Sequence, residues 1–329
     1  MAFGYIGKEA TNDNTENNGV FTVEDINTLE EDAKLASSAF LADFTIVGGG
    51  GGAGATGGFV GGGGAGGVCT TVGSVNGGGN TLDSQIGLSI GVDYDASIGA
   101  GGSVNAYIGG ATTFNGITGL GGGTGWRNDR SHGGGSGGGG GRAFTWQNYD
   151  RSIPRAMNDA DKLETFGSVS RQGGDGNNTG YESYNSAGGG GGAAGNRGTT
   201  NAGTHGIISN IQSTTNAGSS GAGEVSGNNV YFGGGGSSGA NSNTTGGLGG
   251  GGNGGQNSGN TGDANTGGGG GGRNNAGYSG GSGVIVLRYP DTFTCTAGAG
   301  VTGTEYDEGT GFKTFAITAG DGTISWSKA

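Results

Sequence analysis

The sequence predicts a mainly β fold: a β-sandwich interleaved with polyglycine II helices, with a short α-helix near the N-terminus. Three observations lead to this expectation. Glycine accounts for 92 of the 329 residues, about four times its usual share. The apolar share is only 30%, so the side-chain core must be small for the length. Short apolar runs alternate with glycine tracts between residues 43 and 290, which is typical of strands joined by side-chain-free backbone.

The first 43 residues are predicted to form an anchoring segment with one short helix. Thr22 fits the N-cap, and Asp25 stands at the third helical position, where a carboxylate can complete a capping box. Apolar side chains flank this start and give the helix one apolar face. They are Phe21, Ile26 and Leu29. Because a single short helix cannot bury such a face by itself, we expect these residues to anchor the segment to another protein.

Several short runs in the long middle of the chain have the composition of β-strands, and their number favours a sandwich. They are 43–47, 68–75, 86–94, 104–108, 112–117, 205–213, 230–232 and 283–289. Two more strand-like stretches, 311–318 and 322–327, lie near the C-terminus. The chain therefore divides into an N-terminal segment at 1–43, a glycine-rich β and polyglycine-helix domain at 44–290, and a C-terminal β extension at 291–329.

The glycine tracts contain a three-residue repeat, as at Gly48, Gly51 and Gly54. This period fits a left-handed extended helix with three residues per turn, whose N–H and C=O groups point outward to neighbours. We therefore expect a bundle held by backbone hydrogen bonds between helices. The alternative is a set of flexible linkers, because ordering glycine costs much backbone entropy. Apolar strands at both ends of the tracts favour the bundle, since anchored ends reduce that cost.

The charge distribution argues against two classes of partner. The net charge is −12, and the sequence has no dense cluster of Lys and Arg. Nucleic acid and anionic membranes are recognised through such clusters, so we expect neither as a partner. No apolar run approaches the ~18 residues of a membrane-spanning helix, and residues 1–8 open no signal-peptide pattern, so we expect no membrane insertion.

The two ends of the glycine-rich part resemble a known family. It opens with FTIVGGGGG at 44–52 and GGGGAGG at 61–67, and it closes with GGGGGGRNNAGYSGGSGVIVLRYP at 267–290. These stretches resemble the glycine-rich domain of tailed-phage fibre and tip proteins. The resemblance implies layered polyglycine helices growing from a jelly-roll-like sandwich. It also implies a protein that is made in the host cytoplasm and displayed on the exterior of the virion, on the tail or the head.

The C-terminal stretch departs from that pattern. FKTFAITAGDGTISW at 312–326 looks like the hairpin that usually precedes such a domain, yet here it follows the domain. We expect it either to complete the sheet or to mediate oligomerisation.

One part of the middle is rich in aromatic and basic side chains, which suit sugar faces and the carboxylates or phosphates of surface polysaccharide. The candidate receptor-binding residues are Trp126, Arg127, Arg130, Arg142, Trp146, Tyr149, Tyr181 and Tyr184. The alternative is that they form a small satellite core or contact a neighbouring virion protein. The expected function is a tail-fibre or tip adhesin that binds a host surface glycan or protein without catalysis, as a homo-oligomer, with a trimer favoured. A head-decoration protein with no receptor of its own is the alternative, and an ice-binding or matrix protein is a third class.

Enzymatic and metal chemistry have little support in the sequence. His132 and His205 are its only histidines and lie in no recognisable nucleophile motif, so we expect no catalytic residue and no cofactor. Asp175 and Asp263 have oxygen-rich neighbours, but without calcium-loop spacing they fit polar turns better than metal sites. Cys69 and Cys295 match no metal spacing; two buried thiols are favoured over a disulfide.

Overall fold

The computed structural model describes residues 39–54, 58–104, 108–125, 135–138, 172–176, 187–194 and 201–329. Within them, strands predominate over one short α-helix, so the mainly β prediction is confirmed. The strands are β1 (Ala39–Val47), β2 (Val68–Thr70), β3 (Ile86–Ser89), β4 (Tyr94–Ser97), β5 (Thr112–Phe114), β6 (Ile117–Gly119), β7 (Ile207–Ile208), β8 (Glu224–Ser226), β9 (Asn229–Phe232), β10 (Gly272–Arg273), β11 (Ala276–Gly277), β12 (Val284–Pro290), β13 (Phe293–Ala297), β14 (Val301–Asp307) and β15 (Phe312–Lys328). The helix is α1 (Thr214–Ser220), and a 3-10 turn covers Gly77–Gly79. The predicted N-terminal helix lies outside the described residues.

Most of these strands belong to one antiparallel sheet that nearly closes on itself. Its order is β2-β1-β12-β15-β4-β5-β6, and β3, β13 and β14 pair at its margins. The central pairing joins β1 to β12, with Val47 opposite Val284. At the far end β6 returns beside β2, where the Gly67 N–H donates to Leu120 O at 2.7 Å. The β-sandwich prediction therefore corresponds to a nearly closed, barrel-like sheet.

The C-terminal stretch is one long strand, so the hairpin expectation is wrong. β15 bends at Gly320, whose φ of 108° lies in a region that disfavours any residue with a Cβ. Before the bend β15 pairs with β12 and β14, and after it with β4 and β13. Each half finds its hydrogen bonds in a different part of the sheet, so no reversal of the chain is needed. The expectation that this stretch completes the sheet is confirmed.

The interior of the sheet holds an aromatic cluster. Phe40 stacks on Phe293 with ring centroids 4.2 Å apart, and Trp326 meets Phe40, Tyr94 and Tyr289 edge-on or nearly so. Such edge-to-face contacts add to the free energy gained by burying the rings. Because β1, β4, β12, β13 and β15 each contribute one ring, this cluster joins strands that are distant in sequence.

Both cysteines are buried as free thiols in the same core, as favoured from the sequence. Burial, with a smaller contribution from the charge of Asp83, raises the pKa of the Cys69 thiol to about 12. Burial likewise raises the pKa of Cys295, with the nearby Glu305 carboxylate adding to the effect. Both thiols therefore stay protonated near neutral pH and pack in the core, where Cys69 Sγ also accepts a hydrogen bond from Gln172 Nε2 at 3.2 Å.

A second core lies on the other face of β1 and β12. There Val47, Val284 and Val286 pack against α1 and the three-stranded sheet β7-β9-β8, which contributes Val230 and Phe232. Both faces of the central strand pair are thus covered. This explains why residues 283–289 read as a continuous apolar run rather than an alternating one.

Several predicted strands are shorter or interrupted. The run 86–94 breaks at a turn that includes Gly91 (φ 70°), and 112–117 is a hairpin turning at Asn115 and Gly116, which both have positive φ. Two central residues with positive φ are the signature of the tight hairpin turn that Asn-Gly favours. In 205–213 only Ile207–Ile208 is a strand, because the chain then turns into α1. In 68–75 the strand ends at Thr70, and most of 104–108 lies outside the described residues.

Candidate functional site

The glycine tracts form a bundle in which consecutive residues bond to different neighbours. The first tract donates its N–H groups from Gly48 to Gly67 O (3.0 Å), Gly49 to Gly110 O (2.9 Å), Gly50 to Gly281 O (2.9 Å) and Gly51 to Gly64 O (2.8 Å). Gly48 and Gly51, three residues apart, therefore donate to the same neighbouring tract. None of these four glycines has a positive φ. Together with the three-residue repeat, this is the geometry of a left-handed polyglycine II helix.

The tract at 60–67 lies at the centre of the bundle. Its N–H groups donate in threefold rotation to three tracts, at 119–125, 187–194 and 267–272. Its carbonyl groups accept from three others, at 48–53, 135–138 and 234–239. The central tract is thus surrounded by other backbones, and its N–H groups from Gly62 to Gly67 all donate to backbone carbonyls without any side chain. The bundle prediction is confirmed for these tracts, and the flexible-linker alternative is wrong for them.

Glycine is required here because the backbones approach too closely for a Cβ atom. A Cβ at Gly66 would overlap the carbonyl oxygen of Gly48, and one at Gly63 would overlap that of Gly51. Glycine is used on the collagen axis for the same reason. The backbone entropy lost by ordering glycine is therefore offset by hydrogen bonds and close packing rather than by side-chain burial.

The bundle has two different ends. At the sandwich end, tracts continue directly into strands, as at Val47, Val68 and Val284. At the opposite end, here called the distal end, Phe59 bridges Asn274, and the described turn residues lie at 58–60, 239–244, 255–259 and 272–277. Most tracts therefore run the length of the bundle between strands and turns.

The last described residues before the stretches that contain the predicted receptor-binding residues lie toward the distal end; they are Gly125, Gly138 and Gly176. The chain passes out of the described region after Gly125, whose N–H donates to Gly52 O at 3.1 Å. It passes out again after Gly138 and Gly176, which lie side by side because a Cβ at Gly176 would overlap Gly138 O. It returns at Ala187, whose N–H donates to Gly239 O at 3.1 Å.

The predicted receptor-binding and anchoring residues themselves lie outside the described residues. These are Trp126, Arg127, Arg130, Arg142, Trp146, Tyr149, Tyr181 and Tyr184, with Phe21, Ile26 and Leu29 at the N-terminus. Their roles remain predictions. After two of these stretches the described chain resumes nearer the sandwich end. Gly135 N–H donates there to Gly121 O (2.6 Å), and the Gln172 amide accepts from Leu120 N–H (2.8 Å) and donates to Thr118 O (2.7 Å).

The sequence reasoning missed a set of asparagines whose side chains cap the backbone of outer tracts. Asn253 Oδ1 accepts from Gly246 N–H at 2.9 Å, and Asn260 Oδ1 accepts from Asn253 N–H at 2.7 Å. At the distal end Asn275 Oδ1 accepts from Gly58 N–H at 2.6 Å. The available signal was an asparagine isolated within glycine tracts, as in GGNGG, where a short amide can reach the backbone of the next tract.

An acidic side chain, Glu224, also binds backbone of the bundle. Glu224 Oε2 accepts from Gly249 N–H (2.6 Å) and Gly250 N–H (2.8 Å). Burial, and then the nearby Glu224 charge, raise the pKa of Asp263. The chain turns immediately after Asp263, and Asn265 adopts a positive φ of 59° in that turn. The described part of the chain contains no cluster of three or more His, Cys, Asp or Glu side chains that could hold a metal ion.

Of the two histidines, His205 lies in the described part and has a structural contact. Its Nδ1 accepts from Leu248 N–H at 2.8 Å, so it caps a neighbouring tract in the same way as the asparagines. His132 lies outside the described residues. In the parts of the chain that are described, no helix is both long enough and apolar enough to span a membrane.

The fold and the bundle define a β protein built around a glycine-rich scaffold. The chain belongs to the glycine-rich domain family, which it matches over residues 32–290. A search of curated proteins and a search of solved structures each found no match.

Proposed function

We propose that this protein is a structural component of a tailed-phage virion, an adhesin that attaches the particle to host surface polysaccharide by binding and without catalysis. The observation that carries the proposal is that the last described residues before the aromatic and basic stretches, Gly125, Gly138 and Gly176, lie toward the distal end of the bundle. A bundle cross-linked by backbone hydrogen bonds is a stiff support, and recognition residues are commonly carried by loops on such a support. The resemblance of 44–67 and 267–290 to phage fibre domains supports the same assignment.

The difference between the two ends of the molecule suits this role. The N-terminal segment joins the described chain at Ala39, and β1 runs nine residues, about 30 Å, before the bundle begins after Val47. An anchor built on Phe21, Ile26 and Leu29 would therefore attach next to the sandwich. The stretches with the receptor-binding residues begin toward the distal end, and after 126–134 and 139–171 the described chain resumes near the sandwich end, at Gly135 and Gln172. We propose that the virion partner binds beside the sandwich and that the host glycan binds where these stretches begin, toward the distal end.

Competition for phage adsorption tests this proposal. Recombinant protein is expected to block adsorption of the phage, and a variant with Trp126, Trp146 and Tyr149 all replaced by alanine is expected to lose the effect. Phe312→Ala is the matched control, because this 41% exposed ring lies on β15, away from the distal end. If the recombinant protein bound to particles yet left adsorption unchanged, the protein would be a decoration protein. If the triple variant still blocked adsorption, those three residues would not be the receptor site.

A further inference from the structure

Two neighbouring tracts on the outer side of the bundle are joined through asparagine side chains as well as backbone. Asn253 and Asn260 each turn Oδ1 inward to accept a backbone N–H, from Gly246 and Asn253 respectively. The Asn260 N–H donates in turn to Asn253 O at 3.1 Å, so the two residues are adjacent. Both side chains are exposed.

The inward bond fixes what each side chain presents to solvent. Only Oδ1 of an asparagine can accept a backbone N–H, so the Nδ2 group must point the other way with its two donors. Within the described part of the chain, neither Nδ2 group makes a hydrogen bond. The outer side of the bundle therefore carries two adjacent amide donors whose orientation is set by the backbone.

An acceptor and an aromatic ring lie beside these donors. Asp263 stands three residues after Asn260, hence on the same side of a three-residue helix, and the residue is exposed although its carboxyl group is partly desolvated. The half-buried Tyr278 ring lies against Gly259, directly before Asn260, since a Cβ at Gly259 would collide with that ring. The backbone beneath is held by hydrogen bonds from Gly271 N–H to Asn260 O (3.1 Å) and from Tyr278 N–H to Gly271 O (3.0 Å).

We propose that this surface, formed by Asn253, Asn260, Asp263 and Tyr278, is a binding site for a neutral, hydroxyl-rich polysaccharide. Sugar hydroxyls accept from Nδ2 groups and donate to a carboxylate, and a sugar ring can pack on an aromatic ring. The net charge of −12 and the local Asp263 and Glu224 carboxylates disfavour an anionic polymer. Because the donors are already oriented, binding costs little side-chain entropy. The site goes beyond the attachment function above, since it uses residues of the bundle itself.

The test replaces each asparagine with aspartate. In Asn253→Asp and Asn260→Asp one carboxylate oxygen can still accept the backbone N–H, whereas the outward donor becomes an acceptor. Asn229→Asp is the matched control, because Asn229 Oδ1 accepts from Asn210 Nδ2 in the small sheet and the change adds the same charge. The probe is a printed array of neutral and acidic oligosaccharides, with affinities for the bound sugars measured by biolayer interferometry.

We expect the wild-type protein to bind neutral oligosaccharides, each aspartate variant to lose at least tenfold in affinity, and Asn229→Asp to bind as wild type. No binding to any neutral oligosaccharide, a preference for acidic ones, or unchanged affinity in both variants would overturn the proposal. If a variant lost its cooperative thermal transition, Asp263→Leu would replace it, with the same loss expected because leucine has a similar branched shape and no hydrogen-bond acceptor. The variant lacking Trp126, Trp146 and Tyr149 should keep array binding, so failure of the distal loops and failure of this site are distinguishable.

Discussion

Replacing Gly66 with alanine tests the physical basis of the bundle. The new Cβ would overlap the carbonyl group of Gly48, so the two tracts must separate. That movement strains two hydrogen bonds, from Gly66 N–H to Gly267 O (2.8 Å) and from Gly48 N–H to Gly67 O (3.0 Å), each contributing about 1 kcal/mol net. Forcing a methyl group into a packed interior costs about 1–3 kcal/mol more, and the lower entropy of the unfolded alanine chain offsets about 0.4–1 kcal/mol.

The expected loss in the free energy of unfolding is therefore about 2–4 kcal/mol, or a fall in Tm on the order of 10 °C. Thermal and urea unfolding followed by circular dichroism measure both quantities. Gly87→Ala is the control, because this exposed glycine of β3 has open space where its Cβ would lie and no positive φ. It should be neutral or slightly stabilising. Equal stability of the two variants would refute the claim that close backbone contacts hold the bundle.

Two further predictions concern polar side chains of the C-terminal strands. Burial alone would raise the pKa of Glu305, but hydrogen bonds from Tyr289 Oη (2.7 Å), Cys295 N–H (2.9 Å) and Lys313 outweigh it and lower that pKa. The stability that the Glu305 carboxylate contributes is therefore complete above its ordinary pKa of 4.5 and is lost as pH falls through the lowered pKa. The difference in free energy of unfolding between wild type and Glu305→Gln, measured by urea titration, should therefore narrow on acidification. A difference that stayed constant with pH would contradict this. The Glu308 carboxylate accepts hydrogen bonds from Ser213 N–H (2.8 Å) and Thr314 Oγ1 (2.7 Å). Glu308→Ala should therefore lower the free energy of unfolding by about 1–2 kcal/mol, measured by the same urea titration. An unchanged unfolding midpoint would show that these hydrogen bonds of Glu308 are dispensable.

Local sequence patterns predicted the elements whose structure depends mainly on their own residues. The apolar run at 283–289 corresponds closely to β12, and the glycine repeat predicted tracts that bond to neighbours with a three-residue period. The strand predicted at 43–47 begins earlier in the structure, at Ala39, because the first half of β1 pairs with β3. The local sequence does not indicate that partner.

The features that sequence reasoning missed depend on contacts between distant residues. The helix α1 has the sequence TTNAGSS, which is poor in helix-favouring residues. It is stabilised by the Ser213 cap and by Glu308, the residue directly after β14. β15 looked like two strands because Gly320 and Gly322 resemble a turn, whereas pairing with four different strands keeps it extended. Which glycine tract neighbours which is likewise invisible, since the tracts are nearly identical in sequence.

The bundle's composition also limits where recognition can evolve. An interior tract such as 60–67 has backbone on every side, so most of its positions cannot gain a side chain without separating neighbours. Side chains are accommodated where a tract has no outer neighbour, as at Asn253 and Asn260, or where it turns, as at the distal end. Binding residues are therefore confined to the outer tracts and the turns. Both proposed sites belong to the outer tracts or to the distal end. Substitutions that alter ligand preference are therefore expected at those positions, while the interior positions remain glycine.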